Sequence, residues 1–209
     1  MMKIVKYAVL FIIAAVLLYN SIYFESLSEH QATQEPAEFN SPRYGLEFWK
    51  KLQHKLIDAV PAPTLLALLH RDMQTAITKY GRTLGVSSNH SYLLQGSGTL
   101  LKITDDALLV SIQPPATQAD VAIATAFIFG NDIRDASGLV AVSDFPSTME
   151  FNTISSEINK MVSNTVLPPV LARAQVGQRI RFGAATTVSE DDPQLTPLRI
   201  VPITLEIVD

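Results

Sequence analysis

"YLLQGSGTLLKIT", Tyr92 to Thr104, is the stretch on which the fold turns. Ahead of it apolar residues recur every three or four positions; from Tyr92 onward they recur every second, the spacing of a strand. Gly96 and Gly98 stand in the middle of the run. Glycine weakens a strand because it has no side chain to pack and the most backbone freedom to lose, so the pair marks a bend or bulge such as a barrel corner.

Downstream the same period continues. "ALLVSIQ" alternates Leu108, Val110 and Ile112 against Leu109, Ser111 and Gln113. "DVAIATAFIF" sets Val121, Ile123, Thr125, Phe127 and Phe129 on one face and Ala122, Ala124, Ala126 and Ile128 on the other. The alanine face leaves room for a packed helix. A helix is expected over "FNTISSEINKMVSNTV", capped by Asn152 or Thr153, with Ile154, Ile158, Met161, Val162 and Val166 as its apolar stripe. Pro168-Pro169 bends or ends it. "QRIRFGAATTV" and "LRIVPITLEIV" are the last two strands.

Upstream lie two helices. "SPRYGLEFWKKLQHKLIDAV" opens with Ser41 as N-cap and Pro42 at the first helical position, then repeats Leu46, Trp49, Leu52, Leu56 and Val60. Pro61 to Pro63 stop it. Thr64 starts a second helix with Leu65, Leu69, Met73, Ala76 and Tyr80 in line, closed by Gly81. Trp49 and Tyr80 read as core. The class is α+β: two helices, then an OB-like five-stranded antiparallel barrel with a helical insertion between its strands 3 and 4. An open antiparallel sheet with helices on one face is the alternative, and the two differ only in closure.

"MMKIVKYAVLFIIAAVLLYNSIYF" precedes all of this. From Ile4 to Phe24 only Lys6, Asn20 and Ser21 interrupt the apolar run. As a helix it spans roughly 31 Å, against about 30 Å of hydrocarbon. A cleavable signal peptide is the competing reading, but the best cut, after Ser21, has bulky Tyr19 three positions in. Lys3 and Lys6 before the span leave the N-terminus cytoplasmic and the body exported, to the periplasm of a Gram-negative host. The chain thus divides into an anchor (1–24), a polar tether (25–40) and one exported domain (41–209), helical over 41–81 and OB-like over 92–209.

Composition narrows the chemistry. There is no cysteine, so disulfides, thiol catalysis and an acylated N-terminal cysteine are all outside this sequence. Beyond residue 24, fourteen Lys and Arg face twenty Asp and Glu, a net −6 that disfavours nucleic acid. His30, His54, His70 and His90 have no metal-ligand spacing and read as surface or satisfied core residues. "GSG" runs into a strand, whereas a phosphate cradle runs into a helix. Asp105-Asp106 and Glu190-Asp191-Asp192 read as solvated turns. No catalytic constellation, metal site or cofactor is expected.

The polar cluster that remains is "GNDIRDASG", Gly130 to Gly138. Gly130 and Asn131 tolerate left-handed dihedrals, so the strand can break there. Asp132 and Asp135 flank Arg134. One reading is a turn clasped by an Arg–Asp pair; the other is an Arg134 that projects to bind a partner or an anion. Asn131, Asp132, Arg134, Asp135 and Asn152 are the candidate binding residues.

This stretch and its surroundings resemble a bacterial family of predicted periplasmic lipoproteins, the domain of unknown function numbered 2291. Gly130, Arg134, Asp135, Phe145, Asn152 and Asn159 fall on its central signature, and Gly177, Gly183 and Pro202 on its closing strands. "FNSPRYGLEFWKKL" and "ITKYG" are similar to its helical start, so the likeness covers most of residues 39–209. The resemblance implies an exported, membrane-anchored protein without established activity, often encoded beside sugar ABC transporters. The missing cysteine departs from the lipoprotein pattern. Three functions follow as expectations. The first is a non-enzymatic accessory protein at the inner membrane, bound to an envelope protein or sugar transporter component. The second is a small-ligand or oligosaccharide binder using Arg134, Asp135 and Asn152 with Tyr92, Phe145 or Phe151. An enzyme is the third and least supported.

Overall fold

A computed structural model describes Tyr7 and residues 39–208. Apart from Tyr7, the expected membrane span lies outside the described residues, as does nearly all of the tether. Among those described, no helix is long and apolar enough to cross a membrane. Asn40–Asp209 form a compact unit.

Helix α1 spans Ser41–Lys55. Asn40, one residue earlier than expected, is its cap: Arg43 N donates to Asn40 Oδ1 at 3.0 Å. Its buried stripe is Gly45, Phe48, Leu52 and then Leu56 in a short 3-10 turn, while Leu46 is exposed. The stripe is rotated by about one residue from the expected one because α1 packs closely on a later helix: a Cβ on Gly45 would lie 2.9 Å from Glu157 Cβ. Val60–Pro61 form a short strand, β1. The second expected helix is two, α2 (Ala62–Arg71) and α3 (Met73–Tyr80). Asp72 divides them; its φ of −155° is non-helical, and its carboxylate accepts from Thr75 N at 3.1 Å.

The sheet is built from β2 (Asn89–Ile103), β3 (Ala107–Ser111), β4 (Val121–Ala124), β5 (Arg179–Ser189) and β6 (Leu198–Val208). Neighbours run β2–β3–β4–β6–β5, and β5 pairs back with β2 over Asn89 to Thr99, so the pairings close into a ring. All pairs in the ring are antiparallel except β4–β6, which is parallel, so the expectation of an all-antiparallel arrangement is corrected. A parallel neighbour requires a long crossover, and the insertion between β4 and β5 supplies it.

Gly96 and Gly98 sit where β2 changes partner. Its first half carries β1 beside Leu94 and Gln95; from Thr99 it carries β3 instead. A Cβ on Gly98 would run into the carbonyl oxygen of Ser111 on β3, so the changeover requires glycine. The β5–β6 pair shifts register between Gly183 and Ala184, opposite Thr204 and Pro202. Pro202 has no N–H for a regular ladder, and the bulge accommodates it. Leu94, Leu100, Leu108, Val110, Ile123, Ile180 and Ile200 are fully buried between these strands and the helices.

The insertion departs most from expectation. The β4 strand stops at Ala124, five residues early, and Phe127 adopts a φ of 54°, left-handed for a bulky side chain. Phe127 and Phe129, expected on the strand face shared with Val121 and Ile123, lie beyond the strand and are exposed. A one-and-a-half-turn helix, α4 (Asp132–Ser137), follows Gly130. Then α5 runs Thr148–Met161, capped by Ser147, whose Oγ accepts from Glu150 N at 3.2 Å. Asn152 is thus inside the helix and not its cap. A π turn, Val162–Val166, joins α5 to α6 (Leu167–Leu171). Pro168 and Pro169 fall in the first turn of α6, where missing N–H groups cost little, so the chain stays helical through them.

Tyr92 is 1% exposed, and its hydroxyl has no partner among the described residues. Burial, with a smaller contribution from the Glu190 charge, pushes its phenol from the ordinary 10.0 up to about 12. The folded state keeps this proton after the unfolded chain has lost it, so its contribution is intact below pH 10 and drains away between about pH 10 and 12. We expect Tyr92→Phe to be neutral, or stabilising by up to ~1 kcal/mol, in urea melts at neutral pH, because an unsatisfied hydroxyl is removed. The variant's stability should also fall less steeply at alkaline pH.

Candidate functional site

Gly130, with a φ of 91°, turns the chain out of the β4 connection, and Asn131 leads into α4. This places Arg134 against α5 rather than in solvent: it is 2% exposed. Its Nε donates to Asp135 Oδ1 at 2.8 Å, and its Nη1 donates to the Phe151 carbonyl at 3.3 Å and to Asn152 Oδ1 at 3.0 Å. The guanidinium lies 3.8 Å over the Phe151 ring. The Phe151 ring meets Phe145 at a tilt of 55°, centroids 5.6 Å apart, and Phe145 in turn meets Tyr44 of α1 edge-on at 5.3 Å. Arg134 therefore binds α4 to α5 and, through the aromatic row, to α1. The planar fork permits this; an ammonium could not take a carboxylate, a carbonyl and an amide in one plane.

The expected cluster divides around this clasp. Asp132 and Asp135 turn to one side, lining a cavity of about 350 Å³ with Ser87, Asn89 and Ser91. Asn152 faces the other, a groove of about 480 Å³ between α5 and the Ile128–Asn131 segment. Asn131 borders both. Tyr92, Phe145 and Phe151, the aromatics expected to stack on a ligand, are all buried and cannot do so. The aromatic at the groove is Phe129, 70% exposed.

Beside its apolar stripe, α5 carries a polar one. Asn152, Ser155, Ser156 and Asn159 recur at helical spacing, and Ser163 and Asn164 of the π turn continue the row; all line the groove. The period-3.6 signal that places Ile154 and Ile158 in the core would have exposed this row had uncharged polar residues been counted too. Asn159 Nδ2 donates to the Gly130 carbonyl at 3.0 Å, so the helix also holds the segment carrying Phe129.

A second polar chain lies elsewhere. His90 is buried on β2; its Nε2 donates to Glu190 Oε1 at 2.6 Å, and its Nδ1 lies 2.6 Å from Thr83 Oγ1. Glu190 Oε2 accepts from Gln74 of α3 at 2.8 Å. A hydroxyl, imidazole and carboxylate in line can activate a nucleophile. Here the ring is enclosed and the carboxylate is engaged on both oxygens, so the chain ties the α3–β2 loop to the turn after β5. Among the described residues no group of three or more His, Asp or Glu is placed to hold a metal ion.

A strand ring with a helical insertion is the plan of the OB class, and a solved structure bears this out. The chain is similar to an OB-fold protein from Thermotoga maritima known from its crystal structure, with a TM-score of 0.75 and 31% identity over 81% of this chain and 99% of that one. A search of the curated proteins finds no match. The chain belongs to the family of predicted periplasmic lipoproteins (DUF2291), whose model matches residues 12–206.

Arg134→Lys should lower stability by about 2–4 kcal/mol in urea melts, since it leaves Asn152 and the Phe151 carbonyl without their buried partner. A loss under 0.5 kcal/mol, the scale of ordinary surface changes, would show the clasp to be dispensable.

Proposed function

We propose that the protein is a membrane-tethered periplasmic accessory protein that works by binding rather than by catalysis. Residues 1–24 cross the inner membrane once with the N-terminus in the cytoplasm, residues 25–40 act as a tether, and the ring with its helices stands in the periplasm. The observation that carries this reading is the apolar run Ile4 to Phe24, with Lys3 and Lys6 at its N-terminal end and Glu25 and Glu29 after it, in a chain with no cysteine to acylate. The family's description as periplasmic supports the location. A component of a sugar uptake system is the partner we favour.

The polar groups support binding over chemistry: Arg134 is spent on Asp135 and on Asn152 Oδ1, and His90 and Glu190 on their neighbours. A second reading, a small-ligand-binding domain, is favoured by the open groove along α5.

Carbonate washing of membranes and protease treatment of spheroplasts test the topology together. The full-length chain should stay in the washed pellet while its body is digested from outside. A soluble periplasmic form beginning near residue 22–25 would contradict the anchor, and failure to co-purify any envelope protein from several detergents would contradict the accessory role.

A further inference from the structure

Two asparagines of the groove are fixed in orientation by partners that allow only one. Arg134 has donors alone, so Asn152 must present Oδ1 to it and turn its Nδ2 amide outward. The Gly130 carbonyl can only accept, so Asn159 must spend Nδ2 on it and leave Oδ1 for the groove. Two turns of helix separate them, on one face. A fixed donor and a fixed acceptor thus look into the same space, already ordered before any ligand arrives.

Between them Ser155, 5% exposed, lines the groove, and its hydroxyl has no partner among the described residues. Its Oγ is sealed beneath the groove wall; a buried hydroxyl left unsatisfied costs about 1–3 kcal/mol, and a rotation about χ1 that turns it into the groove would let a ligand's hydroxyl recover that cost. The one charged lining residue, Lys160, is engaged with Glu157 Oε1 at 2.7 Å, so the groove presents little net charge. At its border Phe129 offers an exposed ring on a segment held by the Asn159 bond and by the left-handed Phe127.

Amide donors and acceptors in fixed directions, free hydroxyls, no unpaired charge and one exposed ring suit a molecule rich in hydroxyls with one apolar face. We propose that this groove is a binding site for a neutral saccharide, which stacks a sugar ring on Phe129 and hydrogen-bonds Asn152 Nδ2, Asn159 Oδ1 and Ser155. The assignment rests on the ligand-binding reading above. A volume of about 480 Å³ lies within the range of small-molecule sites. Arg134 is a positioning residue for it, since it sets the Asn152 amide without facing the groove.

The test is calorimetric titration and saturation-transfer NMR on the full-length chain in detergent micelles. The probes are D-glucose, D-ribose and maltotriose, with citrate and inorganic phosphate as anionic counterparts. Saturable binding of at least one sugar is expected, weakened about tenfold by Phe129→Ala and by Asn159→Ala. Phe129→Ala should leave the melting temperature unchanged, because the ring packs on little. Preference for maltotriose over glucose would mark a site for chain ends; the reverse would mark a free monosaccharide. Sugar binding that neither substitution weakens overturns the site. Binding of the anions alone overturns the saccharide assignment but leaves a ligand-binding domain, and no binding of any probe to millimolar concentration overturns both.

Discussion

A buried guanidinium organises the helical insertion of this protein. Arg134 sits where an isolated charge would cost several kcal/mol to desolvate, and the local structure answers that cost group by group. Asp135 supplies the countercharge, the Phe151 carbonyl and Asn152 Oδ1 take further donors, and the Phe151 ring covers the face. Removing any partner leaves a polar group stranded, so the pieces hold one geometry. A methionine there could pack as well, yet it could not set the direction of the Asn152 amide.

That geometry explains why the chain breaks its strand so early. Had β4 continued to Phe129, the Gly130–Asp135 turn would lie too far along to meet α5. Instead the ladder ends at Ala124, and Leu198 and Ile200 of β6 pair with Val121 and Ile123 only. The residues between are freed to line the groove, with Phe127 held left-handed at a cost of about 1–2 kcal/mol. The π turn at Val162–Val166 serves the same surface, carrying Ser163 and Asn164 beside Asn159. The ring is the stable platform; the insertion is where the polar surface is built.

Much of this was legible in the residues. The period-two runs name all five strands of the ring, and Gly98 sits at the changeover of β2 that a Cβ would block. The clasp reading of Arg134 was visible in its flanking aspartates, and the family likeness in the motif order. What could not be read is what depends on distant partners. The parallel β4–β6 pair lies 77 residues apart at Val121 and Leu198, and no local pattern announces it. The α1 stripe is rotated because Gly45 meets Glu157, another long-range contact. The buried state of Tyr92, Phe145 and Phe151 follows from packing among elements, whereas Phe129 looked like a strand residue until the strand stopped. In the sequence Asn152 reads both as a ligand residue and as a helix cap; the helix begins earlier, at Thr148, which gives it Asn159 as a companion on the same face.

The central claim is that Arg134 and Asn152 act as one unit, and a double-mutant cycle measures it most directly. Arg134→Met keeps the stem and removes the fork, Asn152→Ala removes the amide, and urea melts of the two single variants and the double give the coupling. The account predicts that the losses fail to add, with a coupling of about 1–3 kcal/mol. Losses that sum to within about 0.3 kcal/mol would mean the two side chains are independent, and the orientation of the groove's amide would then have some other cause.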